Sequence, residues 1–236
     1  MDPAFSFVKL YVGDEPPVEA AKALLTWFGQ HCTTHGLLPV SHEDAAQFSL
    51  LLIVGESRWL HCDFRGHFLP ENGDQYATIV QLLSRNYPTV NYRATDGGPY
   101  VLRRFDGEKV TARYAVYGDA GHYESRAAAD PWKPVYAAWQ GIMALDVQAD
   151  EFYRLLPAPR YPGATESEEI DYFDLPEHFN RIFGWNRELN YACIEFSPDG
   201  PDGRGDFYEP EAGDYVDKER SLKIYVRHYG PSEPVG

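Results

Sequence analysis

Sulfur is scarce in this sequence, with three cysteines and two methionines in 236 residues. Cys32, Cys62 and Cys193 form an odd, widely spaced set, so no disulfide framework is implied and a reducing compartment such as the cytoplasm is expected. Long apolar runs are also missing. The longest, "LLLIV" from Leu50 to Val54, is far too short to span a bilayer. The opening "MDPAFSFVKLYVGDEPP" has no basic leader followed by an apolar stretch, and no secretory signal is read from it. Positive charge is in short supply, with 21 Lys and Arg against 36 Asp and Glu, a net of −15. Such a field repels nucleic acid and anionic membrane, which argues against both as partners. Catalytic signatures are lacking as well. No G-x-S-x-G is present, and the Gly-rich "TDGG" and "DGPDGRG" lack the strand–loop–helix setting and the lysine of a phosphate-binding loop.

What is present describes a globular chain. Aromatics make up 15% and charged residues 24%, and the length is enough to bury a sizeable core. Phe5, Phe7, Lys9 and Tyr11 alternate with Ser6, Val8, Leu10 and Val12, the pattern of a strand. Asp14 and Pro17 supply a helix start. Ala21, Leu24, Leu25, Phe28 and Cys32 form that helix's apolar stripe, and Gly36 ends it. A short helix after Ser41, with Asp44 as a capping partner, is a further expectation. "FSLLLIVGE" and "RWLHCDF" read as a hairpin, a second helix fits Asp74 to Arg85, and "TVNYRA", "PYVLRRF" and "KVTARYAVY" read as strands divided by turns. Trp132, Val135, Tyr136, Trp139 and Met143 predict a helix from Pro131, with shorter ones at "DEFYRLL" and at Pro176 to Phe183. "LNYACIEF" and "SLKIYVRHY" complete the set of strands. Hairpins with helices between them predict an α+β fold, an antiparallel or mixed sheet with several helices packed on it. One domain over 1–236 is expected, with a possible subdivision near 161–169 at "YPGATESEE".

One cluster invites a catalytic reading. On a strand, His61 and Asp63 share a face, as in an H-x-D metal motif, and His67 is close enough to join them. The spacing resembles that of cupins and of iron- and 2-oxoglutarate-dependent oxygenases. A cupin would carry a second His where Asp63 stands, and only His178 with Arg187 approximates the distal His and Arg of an oxygenase. The competing reading is a strand with a polar outer face whose His and Asp are solvated or paired.

The charge is concentrated. From Glu166 to Glu219 there are 16 acidic and four basic residues, a net of −12, which leaves about −3 for all the rest. Its densest part, Ser197 to Glu219, threads Phe207, Tyr208 and Tyr215 among eight carboxylates. Asp199, Asp202, Asp206, Glu209, Glu211 and Asp214 would supply a steering field, and the three aromatics would supply apolar contact. Asp199, Asp202 and Asp206 with Glu209 are also oxygen donors for calcium, though not at EF-hand spacing. A long solvated loop whose aromatics fold back onto the sheet is the plainer alternative.

The opening strand and helix, "FVKLYVGDEPPVEAAKALLTWF", together with the acidic and aromatic segment from Glu166 to Tyr215, resemble bacterial immunity proteins of polymorphic or type VI-secreted toxins. That resemblance implies a cytoplasmic inhibitor with no reaction and no cofactor of its own. Its partner would be a basic protein, a cognate toxin such as a nuclease.

Overall fold

The computed structural model describes residues 5–41, 45–55, 57–66, 75–94, 99–117, 135–156, 175–185, 214–217 and 221–231. Nine strands share one sheet: β1 (Phe5–Tyr11), β2 (Leu37–Val40), β3 (Phe48–Val54), β4 (Trp59–Gly66), β5 (Thr89–Ala94), β6 (Pro99–Asp106), β7 (Lys109–Tyr117), β8 (Asp214–Asp217) and β9 (Leu222–Pro231). Eight follow the order β2-β9-β3-β4-β1-β5-β6-β7, and β8 joins β9 off that path. Every pairing among the described residues is antiparallel, so the fold is α+β with an antiparallel rather than a mixed sheet.

The strands follow from local chemistry. β3 is buried at all seven positions, which is why "LLLIV" is continuous rather than alternating. β6 and β7 join through Gly107 and Glu108, both with positive φ (54° and 70°), the left-handed pair that a two-residue hairpin turn needs. The side-chain oxygen of Ser84 accepts the Glu108 N–H at 2.8 Å and its carbonyl accepts that of Gly107 at 3.0 Å. The turn is thereby fastened to the end of α2 (Gln75–Leu83).

Helices cover both faces. On one, α1 (Pro17–Thr34) buries Ala20, Ala21, Leu24, Leu25, Phe28 and Cys32 against Val8, Leu10, Leu50, Leu52 and Leu60, and α2 adds Ile79, Val80, Leu82 and Leu83. Pro17 opens α1, where a missing N–H costs nothing, and Gly36 (φ 76°) follows its end. Asp14 does not cap this helix. Pro16 holds the cap position, and Asp14 pairs with Arg58 at 2.9 Å. On the other face lie α3 (Tyr136–Trp139), α4 (Ala149–Leu155) and α5 (Leu175–Phe183). The helix expected from Pro131 is shorter than its periodicity suggested. Val135 is extended and exposed, and after Trp139 the chain tightens into a 3-10 turn over Gln140–Ile142. The helix expected after Ser41 and the strand "LNYACIEF" lie largely or wholly outside the described residues. No described helix is long and apolar enough to cross a membrane.

Candidate functional site

β1 is a central strand, flanked by β4 and β5, and both its faces are buried. Val8 and Leu10 enter the core under α1. Phe7 and Lys9 point the opposite way, toward α3–α5. Lys9 stands directly across from His61 of β4 and from Val90 of β5. Both basic residues are inside the protein, at 1% and 5% exposure. Neither the Lys9 Nζ nor the His61 Nδ1 has a hydrogen-bond partner among the described residues.

The surroundings are aromatic. The Lys9 ammonium lies 5.5 Å from the centre of the Phe7 ring and 5.7 Å from that of Trp185. Trp185 stacks on Phe183 at 4.7 Å and meets Phe7 and Trp59 edge-on at 5.3 and 5.5 Å. Ring faces at such distances offset about 0.5–2 kcal/mol of the cost of a charge, much less than desolvation takes away. Burial therefore lowers the Lys9 ammonium from 10.5 to about 7. Burial, reinforced by the Lys9 charge, holds the His61 imidazolium well below its ordinary range.

Two contacts seat the helical layer on this spot. The Trp59 indole N–H donates to the carbonyl of Phe183 at 2.8 Å, joining β4 to the end of α5. The Arg104 fork holds both oxygens of Asp106, at 2.8 and 3.1 Å, and its third nitrogen donates to the Ala138 carbonyl at 2.7 Å, joining β6 to α3. On the outside, Arg181 of α5 bridges Glu151 of α4 and Asp146, at 2.7 and 3.0 Å.

These positions correct the reading of His61 and Asp63. The two do share a strand face, but that face is not a solvated outer one: His61 is buried, and its Nδ1 has no hydrogen-bond partner among the described residues. Asp63 is half-buried and accepts the N–H of Phe64 at 2.8 Å, while His67 lies outside the described residues. Lys9 stands across from His61, and no group of three metal-binding side chains occurs among the described residues. His178, weighed as an oxygenase ligand, instead donates from Nδ1 to the Leu155 carbonyl at 2.9 Å, and Arg187 is not described.

Of the acidic and aromatic residues expected to bind a partner, Asp199, Asp202, Asp206, Phe207, Tyr208, Glu209 and Glu211 lie outside the described residues. Asp214 and Tyr215 fall in β8, opposite Tyr225 and Ile224 of β9. The acidic stretch is thus bracketed by Trp185, buried beside Lys9, and by a strand hydrogen-bonded into the sheet. Lys9 was not foreseen as a buried charge. The available signal was a single lysine among Phe5, Phe7 and Tyr11 in strict alternation. Comparison of the chain with protein-family models, with curated proteins and with solved structures returns no match.

Proposed function

We propose that this protein is an acidic binding module of the immunity type, which inhibits a basic partner protein, such as a toxin nuclease, by docking its 197–219 segment on it. Charge concentration is the observation that carries this reading. The stretch 166–219 has four bases for its 16 acids, and one of the four, Arg181, is already engaged by Glu151 and Asp146 from outside the stretch. The surplus carboxylates cannot be neutralised locally, so a cationic surface is their natural counterpart. Asp199, Asp202, Asp206, Glu209, Glu211 and Asp214 would steer, and Phe207, Tyr208 and Tyr215 would anchor. Pairing of Asp214–Asp217 with β9 anchors the C-terminal end of the stretch to the sheet, which limits the entropy that docking has to overcome.

The test is affinity capture on the immobilised protein at low and at high salt. Captured proteins are identified by mass spectrometry, and the strongest basic candidate is purified for titration. Its affinity should fall with added salt and should drop well over tenfold when Asp202, Asp206 and Glu209 are all changed to Lys. Co-expression should relieve whatever growth defect the partner causes. An affinity indifferent to the triple reversal takes the segment out of the interface and removes the proposal's basis.

A further inference from the structure

Among the described residues, four buried polar atoms without a hydrogen-bond partner belong to side chains at the boundary between the sheet and the α3–α5 layer: Lys9 Nζ, His61 Nδ1, Trp139 Nε1 and Trp185 Nε1. Buried polar groups are nearly always satisfied in folded proteins, so four orphans at one layer boundary mark a place where the fold is held below its full potential stability. Two of the four can take up a proton, and both are bases.

We propose that Lys9 and His61 form an acid-sensitive latch: while the pair is neutral, α5 and Trp185 stay seated on β1 and β4, and protonation of the pair lifts that layer from the sheet.

The directions of titration support it. Lys9 is depressed from 10.5 to about 7 by burial, so its cost to the seated state accumulates as pH falls from 10.5 toward 7 and is fully in place below that. His61 is held well below 6.5 by burial and by the Lys9 charge, so its cost begins as pH falls through 6.5. The two windows adjoin. Just under neutrality the ammonium has formed among Phe7 and Trp185 with no acceptor, and a second proton must then enter beside it. Separating the layer from the sheet hydrates both groups at once, which is the cheaper response.

The other ionisable groups on the packed elements do not pre-empt this. Among the described residues only burial acts on Lys9, and only burial and Lys9 act on His61. Asp63, two residues from His61, accepts a backbone N–H. On the α3–α5 side, Arg181 is bonded to Glu151 and Asp146, His178 to the Leu155 carbonyl, and the Tyr136 hydroxyl to the Val147 carbonyl. Tyr153 accepts the Tyr136 N–H, and Arg104 is held by Asp106. The latch concerns the core alone and does not depend on the identity of any binding partner.

Three tryptophans report on it, because Trp59, Trp139 and Trp185 all lie in this core. Tryptophan emission and acrylamide quenching are followed from pH 8 to 5 on the full chain, beside hydrogen exchange of peptides from α5 and from α1. Quenching should rise several-fold between pH 7.5 and 5. Over that range the α5 peptide should lose at least tenfold more protection than the α1 peptide, after correction for chemical exchange. Lys9→Met, which keeps the length of the side chain without its charge, and Lys9→Met with His61→Leu should each move the transition at least one pH unit lower. Loss of protection in α5 and α1 together, or a wild-type protein unchanged down to pH 5, overturns the latch. The exchange comparison needs no variant, so the outcome stands even if both substitutions prevent folding.

Discussion

The indole N–H of Trp59 donates to the main-chain carbonyl of Phe183, 2.8 Å away and 124 residues along the chain. This bond joins the middle of the sheet to the last turn of α5, and Trp59 is itself only 2% exposed. Replacing Trp59 with Phe keeps an aromatic ring but leaves the Phe183 carbonyl without its donor and opens a small void. The expected cost is about 2–4 kcal/mol, from a buried unsatisfied carbonyl plus lost packing. Urea unfolding followed by circular dichroism would measure it, and an unchanged midpoint would mean that water replaces the donor at no cost.

Alkaline conditions should stabilise the protein through Lys9. The folded chain holds this amine at about 7 and the unfolded chain at its ordinary 10.5, so the unfolded state binds more protons between those values. Stability therefore rises with pH across that window, by an amount on the order of a few kcal/mol. Unfolding midpoints taken from pH 7 to 9.5 should climb for the wild type and climb much less for Lys9→Met. Parallel curves would show that Lys9 is hydrated in the folded state.

Local sequence does not distinguish Lys9 from the lysine of a half-exposed strand. Strict alternation from Phe5 to Val12 revealed the strand, but alternation cannot tell a half-exposed strand from a central one covered on both faces. That distinction depends on α3–α5 packing over β1, a long-range event that leaves no mark near residue 9. The same blindness affected His61, whose polar character suggested an outward face. Elements fixed by local chemistry were legible. Pro17 and Gly36 bracket α1, the Gly107–Glu108 turn defines the β6–β7 hairpin, and "TVNYRA" coincides with β5. The Trp-rich stretch after Pro131 misled because Trp139, Ile142 and Met143 are buried from a short helix and a 3-10 turn, which share helical spacing without a long helix.

Two thiols should be inert in the native state. Cys32 and Cys62 are fully buried and free, and burial pushes Cys32 up to about 12 and Cys62 well above its usual value. Neither presents thiolate at neutral pH. Treatment with a maleimide followed by peptide mapping should leave both unlabelled in buffer and label both in urea. Rapid native labelling of Cys62 would mean that β4 is open to solvent from the α1 side.

Gly230 has no room for a side chain. A Cβ built there would sit 2.5 Å from the Ala45 carbonyl oxygen and 3.0 Å from the Val40 side chain. The first of these is backbone and cannot swing aside. Gly230→Ala should thus push the Ala45 backbone, and Val40 of β2 beside it, away from β9 and cost about 1–3 kcal/mol. The loss should be detected as lower thermal stability together with faster amide exchange at Leu38 and Val40, while β5–β7 keep their protection.

The end of the sheet at β9 has a consequence for life at high concentration. Along its outer side β9 pairs with β8 through Leu222–Tyr225 and with β2 through His228–Pro231, so the border, among the described residues, is made of two four-residue stubs laid end to end. A neighbouring molecule seeking to extend the sheet finds no continuous rail there. One stub contains Pro39, which lacks an N–H, and the other begins and ends with aspartate. Crowded copies carrying like charge on such a broken border resist zipping into fibrils. At this end an open sheet can limit edge pairing without closing into a barrel.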